Sequence, residues 1–174
     1  MLLLLLIIVV FGLMAIEARR ATRNERAQRA RGGVEADGDV FATMRVAYPA
    51  AFLAMCAEGA ISGVPGPAAL IAGAILFASG KALKWWAIAT LGPFWTFRLI
   101  VVPGMTLVQS GPYRWMRHPN YVGVVGELAG AALMTGAAVT GPLATAGFIV
   151  LLLKRVAVES RMLIAAREGG PTSK

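Results

Sequence analysis

Apolar and polar residues follow one another along this chain in long blocks. An α-helix needs about 20 consecutive apolar residues to cross a hydrocarbon core of about 30 Å. The apolar blocks are residues 1–16, 40–62, 67–91 and 121–153. Two polar blocks, 17–39 and 96–120, separate them. This pattern predicts an all-α integral membrane protein whose apolar helices are joined by polar loops.

The last apolar block is too long for one helix. A single helix over its 33 residues would measure about 50 Å. The stretch "TGAAVTGP", 135–142, offers a break. We therefore predict two antiparallel helices that form a hairpin, which brings the total to about five transmembrane helices. Gly126 and Gly130 form a small-xxx-small pair and predict a close helix contact.

Several polar features refine this picture. Gly32-Gly33 predicts the end of a surface helix that follows the first span. Glu58 lies within an apolar block, so we expect it to face other helices or a polar cavity. Lys81 and Lys84 precede two tryptophans and predict an interfacial belt with basic anchors. "TFRLIVV" and "MTLVQS" alternate weakly around Pro103-Gly104, which is compatible with a short hairpin.

The composition agrees with a membrane location. The chain is 57% hydrophobic and 15% charged, against roughly 25% charged residues in soluble domains. Its net charge is +8, and six arginines lie between Arg19 and Arg31. Positive charge beside a span marks the cytoplasmic side and accounts for the basic balance without nucleic acid. We expect a multi-pass protein of the cell membrane with a single domain, 1–174, divided into parts 1–94 and 95–168.

Two polar clusters flank the predicted hairpin. One is "SGPYRWMRHPNYVG", 110–123, and the other is "KRVAVESR", 154–161. A hairpin returns to the side that it left, so both clusters should meet on the cytoplasmic face. Arg155 and Glu159 share one helix face. The residues alone leave two interpretations open, a functional site or membrane-interface anchors with a surface salt bridge. A metal site is not predicted, because the chain has one histidine and one cysteine.

The two clusters together resemble the isoprenylcysteine carboxyl methyltransferase superfamily. "GPYRWMRHPNYVG" is followed about 35 residues later by "RVAVES", with the spacing that this superfamily shows, and the resemblance extends from Trp95 to Leu163. It implies a membrane methyltransferase that uses S-adenosylmethionine. Arg155 would lie towards the substrate, and Glu159 would hold the amino end of the cofactor. The other implied cofactor residues are Leu107, Val108, Tyr113, His118, Pro119, Tyr121 and Gly123.

The match has two departures and points to one subgroup. Met105 stands where the family has its first histidine, and Ser160 replaces the second glutamate of a pair. "WTFRLIV", "RHPNY" and "ELAG" resemble bacterial homologues encoded near type III polyketide synthases. The resemblance therefore implies O-methylation of long-chain alkylpyrones or alkylresorcinols.

Glu127 is the acidic residue best placed to act as a general base. A desolvated carboxyl binds a proton readily, which suits proton abstraction from a phenol or enol. A helix–helix hydrogen bond is an equally weighted alternative. We expect methyl transfer to an oxygen of a lipophilic small molecule, with membrane lipids as surroundings. The alternatives are prenylcysteine carboxyl or phospholipid methylation, or a non-catalytic membrane protein that retains the fold.

Overall fold

A computed structural model describes residues 1–63, 65–104 and 108–168, with side chains described as far as residue 162. Within these ranges five α-helices dominate, which confirms the all-α fold class. They are α1 (Leu2–Ala30), α2 (Phe41–Ser62), α3 (Pro67–Leu91), α4 (Pro119–Thr135) and α5 (Thr140–Glu168). Two short strands, β1 (Val34–Glu35) and β2 (Ile100–Val101), and 3-10 turns at Gly92–Phe94 and Gly111–Arg114 complete the described elements.

Three helical segments are long and apolar enough to cross a membrane. They are Leu2–Ala30, Pro67–Phe94 and Thr140–Met162, whose most apolar windows have mean hydropathies of 2.5, 1.3 and 1.6. Large apolar side chains on these segments point outward, as lipid-facing residues do. Examples are Leu4, Ile8, Ile71, Ile75, Leu143 and Leu153. The helices α2 and α4, of 22 and 17 residues, pack with these segments into one bundle.

The first helix runs without a break from the apolar block into the arginine-rich block. Its 29 residues contain no proline, and it ends just before Gly32 as predicted. The surface helix is thus a continuation of the first span. Its polar half is held by side-chain amides, since Asn24 Nδ2 donates to the carbonyls of Gly92 and Trp95 at 3.0 and 2.7 Å. These bonds dock α1 onto the end of α3.

Glycines allow α3 and α4 to lie in close antiparallel contact. Gly73 faces Gly130, and Gly80 faces Gly123. A methyl group on Gly123 would lie 2.7 Å from the carbonyl oxygen of Gly80. At Gly126 the nearest atom of α3 would be 3.3 Å away. The close contact predicted from Gly126 and Gly130 is confirmed, and the tightest positions are spaced by seven residues.

The predicted C-terminal hairpin is confirmed. The helix α4 ends at Thr135, and Gly136 follows in the left-handed conformation with φ of 69°, a common helix C-cap. Glu58 of α2 caps the next helix, because its carboxylate accepts hydrogen bonds from the backbone N–H groups of Val139 and Thr140 at 2.9 and 2.7 Å. Glu58 therefore faces another helix, as expected.

The cap leads to a stability prediction. We expect Glu58→Ala to lower the midpoint of thermal unfolding, because two N–H groups at the start of α5 lose their acceptor. Thermal unfolding in detergent, followed by circular dichroism, measures the loss. Asp37→Ala, in an exposed loop, is the matched control. Equal stability of the two variants would contradict the capping role.

The two short strands pair with each other across a long stretch of the chain. β2 pairs with β1 in antiparallel register, with Val34 opposite Val101 and Glu35 opposite Ile100. This pairing uses one edge of β2, and the possible hairpin around Pro103-Gly104 stays a prediction. Its second strand includes residues 105–107, which lie outside the described residues. The observed register is supported by Ala36, whose N–H donates to the carbonyl of Leu99 at 2.9 Å.

Candidate functional site

A cluster of aromatic and charged side chains forms where α4 begins and α5 nears its end. The hydroxyl of Tyr121 donates to Oε2 of Glu159 at 3.2 Å. Nδ1 of His118 lies 3.7 Å from the same oxygen. The rings of His118 and Tyr121 stack with centroids 5.2 Å apart and planes within 5°. The two sequence clusters therefore meet as the hairpin predicts, and we call these three residues the HYE cluster.

The HYE cluster is accessible and carries an available acceptor. The side chains of His118 and Glu159 are 28% and 30% exposed. Oε1 of Glu159 makes no hydrogen bond with any residue that the structure describes. A partly exposed carboxylate oxygen beside flat rings can accept hydrogen bonds from a cation such as an ammonium group.

Backbone restrictions in "GPYRWMRHP" set the position of the cluster. Gly111 has φ of +55°, and a methyl group there would lie 2.4 Å from Oγ1 of Thr90. Only glycine therefore combines this turn with contact to α3. Pro119 is buried and occupies the first position of α4, where proline is favoured. These residues anchor the segment on α3 and start α4 directly beside His118.

Tyr113 belongs to the 3-10 turn that precedes α4. Burial, and then the nearby carboxylate of Glu159, raise the pKa of the Tyr113 phenol above its usual value. Tyr113 therefore keeps its proton at neutral pH and can act as a hydrogen-bond donor. Its place beside Glu159 agrees with the sequence-based grouping.

Arg155 contacts the cluster but uses its donors on the protein. Its side chain is 7% exposed. Nε donates to the hydroxyl of Tyr121 at 3.1 Å, and Nη2 donates to the carbonyl of Phe97. Nη1 lies 3.4 Å from Oδ1 of Asp39. Arg155 therefore orients Tyr121, and sequence reasoning missed its partners Asp39 and Phe97.

Glu127 lies in a separate buried ion cluster. Its carboxylate is 2.6 Å from Nζ of Lys81 and 3.5 Å from Nζ of Lys84. It also accepts a hydrogen bond from the hydroxyl of Tyr48 on α2. Glu17 of α1 completes the cluster at 3.2 Å from Lys81 and 2.7 Å from Lys84. These contacts join four helices and favour the helix–helix alternative for Glu127 over a general base.

The remaining predicted cofactor residues are placed as follows. Val108 is half-buried at the start of the segment that leads to Gly111. Gly123 lies against Gly80 in the α3–α4 contact. Leu107 lies outside the described residues, as does Met105. The cofactor roles of Leu107, Val108 and Gly123 stay predictions, and so do those of the remaining members of the predicted set, Tyr113, His118, Pro119, Tyr121 and Glu159.

The fold and the HYE cluster define a helical membrane protein whose C-terminal hairpin carries a polar, accessible site. The family model for the isoprenylcysteine carboxyl methyltransferase (ICMT) family matches residues 73–165, more than half of the chain. The chain belongs to this family of membrane methyltransferases. It is also 31% identical over 159 residues to the "uncharacterized protein YpbQ" of Bacillus subtilis (strain 168). The aligned region covers 91% of this chain and 95% of that relative. No solved structure matches the chain significantly.

Proposed function

We propose that this protein transfers a methyl group from S-adenosylmethionine to an oxygen of a lipophilic small molecule. The observation that supports this most is the HYE cluster, in which Glu159 presents a partly exposed carboxylate beside two stacked rings. Family membership supplies the reaction class. The cell membrane is the proposed location, with the cluster on the cytoplasmic side that the arginines of α1 indicate.

The chemistry of the HYE cluster fits this cofactor. S-adenosylmethionine carries an ammonium group, a sulfonium and a flat purine, and a carboxylate is a suitable partner for the two cations. Glu159 would hold the ammonium, and His118 and Tyr121 offer aromatic surface for the purine. Protonated Tyr113 would donate a hydrogen bond from the preceding turn. When bound, the cofactor supplies an electrophilic methyl group.

The residues of this chain then bind and orient rather than perform covalent chemistry. Arg155 fixes the hydroxyl of Tyr121, and Tyr121 fixes Oε2 of Glu159. This chain of bonds leaves Oε1 of Glu159 for the ligand. Such fixed positioning is the main contribution a protein makes to methyl transfer.

We propose an acceptor that enters sideways from the bilayer, because the helices expose apolar side chains around the bundle. Alkylpyrones and alkylresorcinols are the acceptor class that the motif resemblance favours. Prenylcysteine carboxyl groups and phospholipids are the competing substrates. A non-catalytic protein that keeps the fold is the competing explanation from another class.

Calorimetric titration of the detergent-purified protein with S-adenosylmethionine tests the proposal. We expect micromolar-range binding that Glu159→Gln weakens by about 10–100-fold, because a charge-assisted hydrogen bond is lost. His118→Ala should weaken binding as well, through loss of the stacked ring. Asp37→Asn, an exposed acid outside the cluster, is the control and should bind as the wild type does.

Circular dichroism and gel filtration establish that each variant is folded. A well-folded wild type that does not bind S-adenosylmethionine would reject the methyltransferase proposal for this chain and favour the non-catalytic alternative. Unchanged binding by Glu159→Gln would instead reject the HYE cluster as the cofactor site.

A further inference from the structure

Four polar side chains connect the loop after α1 to the HYE cluster. The connection begins at Asp39, whose Oδ1 lies 3.4 Å from Nη1 of Arg155. Nε of Arg155 donates to the hydroxyl of Tyr121 at 3.1 Å, and this hydroxyl donates to Oε2 of Glu159 at 3.2 Å. The loop is therefore linked, through side chains alone, to the carboxylate of the proposed cofactor site.

The donors in this connection all point the same way. A guanidinium carries N–H donors and no acceptor. The N–H of Arg155 therefore occupies a lone pair of the Tyr121 oxygen, and the phenol proton is left for Glu159. If the guanidinium turned away, the hydroxyl would be free to rotate. The orientation of Oε2 of Glu159 thus depends on the groups that hold Arg155.

Arg155 is buried and needs a counter-charge. Its side chain is 7% exposed, and that of Asp39 is 5% exposed. Among the side chains that the structure describes, Asp39 supplies the carboxylate within 4 Å of this guanidinium. The carbonyl of Phe97 and the sulfur of Met44 are its neutral contacts. Because a buried charge is costly unless it is paired, Asp39 allows a charged arginine to lie behind Tyr121.

Asp39 can hold Arg155 because its own carboxylate is fixed. Oδ2 accepts the backbone N–H of Leu99 at 3.1 Å, and Oδ1 accepts the backbone N–H of Phe41 at 3.2 Å. A carboxylate has about four lone-pair sites, so it can accept both bonds and still face the guanidinium. Asp39 is thereby fastened between the start of α2 and the β2 segment.

The pairing of β1 with β2 brings two contacts of Arg155 together. Asp39 lies just after β1, and Phe97 lies just before β2. Because the two strands are antiparallel, the residues that follow one strand lie beside those that precede the other. The N–H of Ala36 extends this pairing by donating to the carbonyl of Leu99 at 2.9 Å. One small ribbon therefore presents both a carboxylate and a carbonyl to the same guanidinium.

We propose that Asp39 is a positioning residue of the cofactor site. It acts through Arg155 and Tyr121 and so aims the acceptor carboxylate of the HYE cluster. This inference rests on the proposed function, because it takes Glu159 as the group that meets the cofactor. Since the effect of Asp39 passes through the hydroxyl of Tyr121, it should depend on that hydroxyl. A general contribution to folding would not.

Calorimetric titration of the full chain with S-adenosylmethionine measures the effect on the site. Asp39→Asn keeps the size of the side chain but removes the counter-charge of Arg155. We expect about tenfold weaker binding, a usual size for coupling between neighbouring polar groups. Glu35→Gln is the matched control, because Glu35 is an acid of the same loop that pairs with Arg98 and Arg29 instead. It should bind as the wild type does.

A double-mutant cycle with Tyr121→Phe distinguishes positioning from a loss of structure. Phenylalanine keeps the ring that stacks on His118 and lacks the hydroxyl. In the wild-type background Asp39→Asn should weaken binding by about tenfold, and in the Tyr121→Phe background by less than about twofold. Equal weakening in the two backgrounds would overturn the inference.

His118 provides a readout that does not need the cofactor. It is the only histidine of the chain, so a protein purified without a histidine tag and labelled with ¹³C in the imidazole gives one ring resonance. Its Nδ1 lies 3.7 Å from Oε2 of Glu159, so the chemical shift depends on where that oxygen lies. At one fixed pH, Asp39→Asn should move this resonance and Glu35→Gln should not. In the Tyr121→Phe background, Asp39→Asn should move it no further.

The two measurements separate this inference from the proposed function. A resonance that moves in Asp39→Asn, with a wild type that does not bind S-adenosylmethionine, would overturn the proposed function and support the action of Asp39 on Glu159. Cofactor binding by the wild type, with unchanged affinity and an unmoved resonance in Asp39→Asn, would overturn only the positioning role. A resonance that moves equally in Glu35→Gln would overturn that role as well.

Discussion

Lys84→Met is expected to lower the free energy of unfolding by about 3 kcal/mol, because two buried carboxylates then share Lys81 as their one counter-charge and one buried negative charge is left uncompensated. The Lys84 side chain is only 4% exposed, and its ammonium lies 2.7 Å from Glu17 and 3.5 Å from Glu127. Methionine keeps an unbranched apolar side chain of similar length, so the charge is the main change. Unfolding in mixed micelles of increasing SDS content measures the difference.

Two further variants show whether the charge balance is responsible. Lys154→Met removes an exposed lysine of α5 and should leave the stability nearly unchanged. The double variant Lys84→Met, Glu17→Gln removes one charge of each sign and should recover part of the loss. If Lys84→Met is as stable as Lys154→Met, the ion cluster does not stabilise the bundle.

The ion cluster also shows where sequence reasoning fails in a membrane protein. Lys81 and Lys84 were expected at the interface, because basic residues before tryptophans usually anchor a helix end. Their partners Glu17 and Glu127 are 64 and 46 residues away from Lys81. The local sequence pattern carries no information on which helices pack together. In the sequence, the two lysines and the two glutamates of the cluster therefore appear unrelated.

Helix ends that are set by neighbouring residues were predicted correctly from the sequence. The prediction of a helix over 67–91 matches α3, because Pro67 and Gly92 mark its ends. The break at 135–142 contains Gly136, which ends α4. In contrast, β2 pairs with β1 from a distant loop, and no local alternation indicates that partner. Boundaries set by proline and glycine were therefore predictable, whereas long-range pairing was not.

The candidate site follows the same division. The meeting of His118, Tyr121 and Glu159 follows from one argument, that a hairpin returns its end to its beginning. The partners of Arg155 could not be predicted in this way, because Asp39 and Phe97 lie in polar loops whose positions depend on α1 and α3. The sequence therefore indicates the HYE cluster more clearly than the surroundings of Arg155.

The α3–α4 contact carries the second large expected effect. Gly130→Val should lower the free energy of unfolding by about 3 kcal/mol, because an added Cβ overpacks a contact between two helix backbones. That atom would lie 2.5 Å from the backbone nitrogen of Phe77 and 2.7 Å from the carbonyl oxygen of Gly73. Valine is stiff at χ1 and cannot turn its branches away freely. Unfolding in mixed SDS micelles measures this loss.

Gly147→Val is the matched control, because it makes the same substitution in a helix without the close backbone contact. An added Cβ at Gly147 on α5 meets nothing within 4 Å, so this variant should be nearly as stable as the wild type. Equal losses in both variants would mean that the loss at Gly130 does not arise from the α3–α4 contact, because valine has a higher helix propensity than glycine. A loss confined to Gly130→Val would show that α4, which carries Tyr121 and Glu127, is held in place by direct backbone contact with α3.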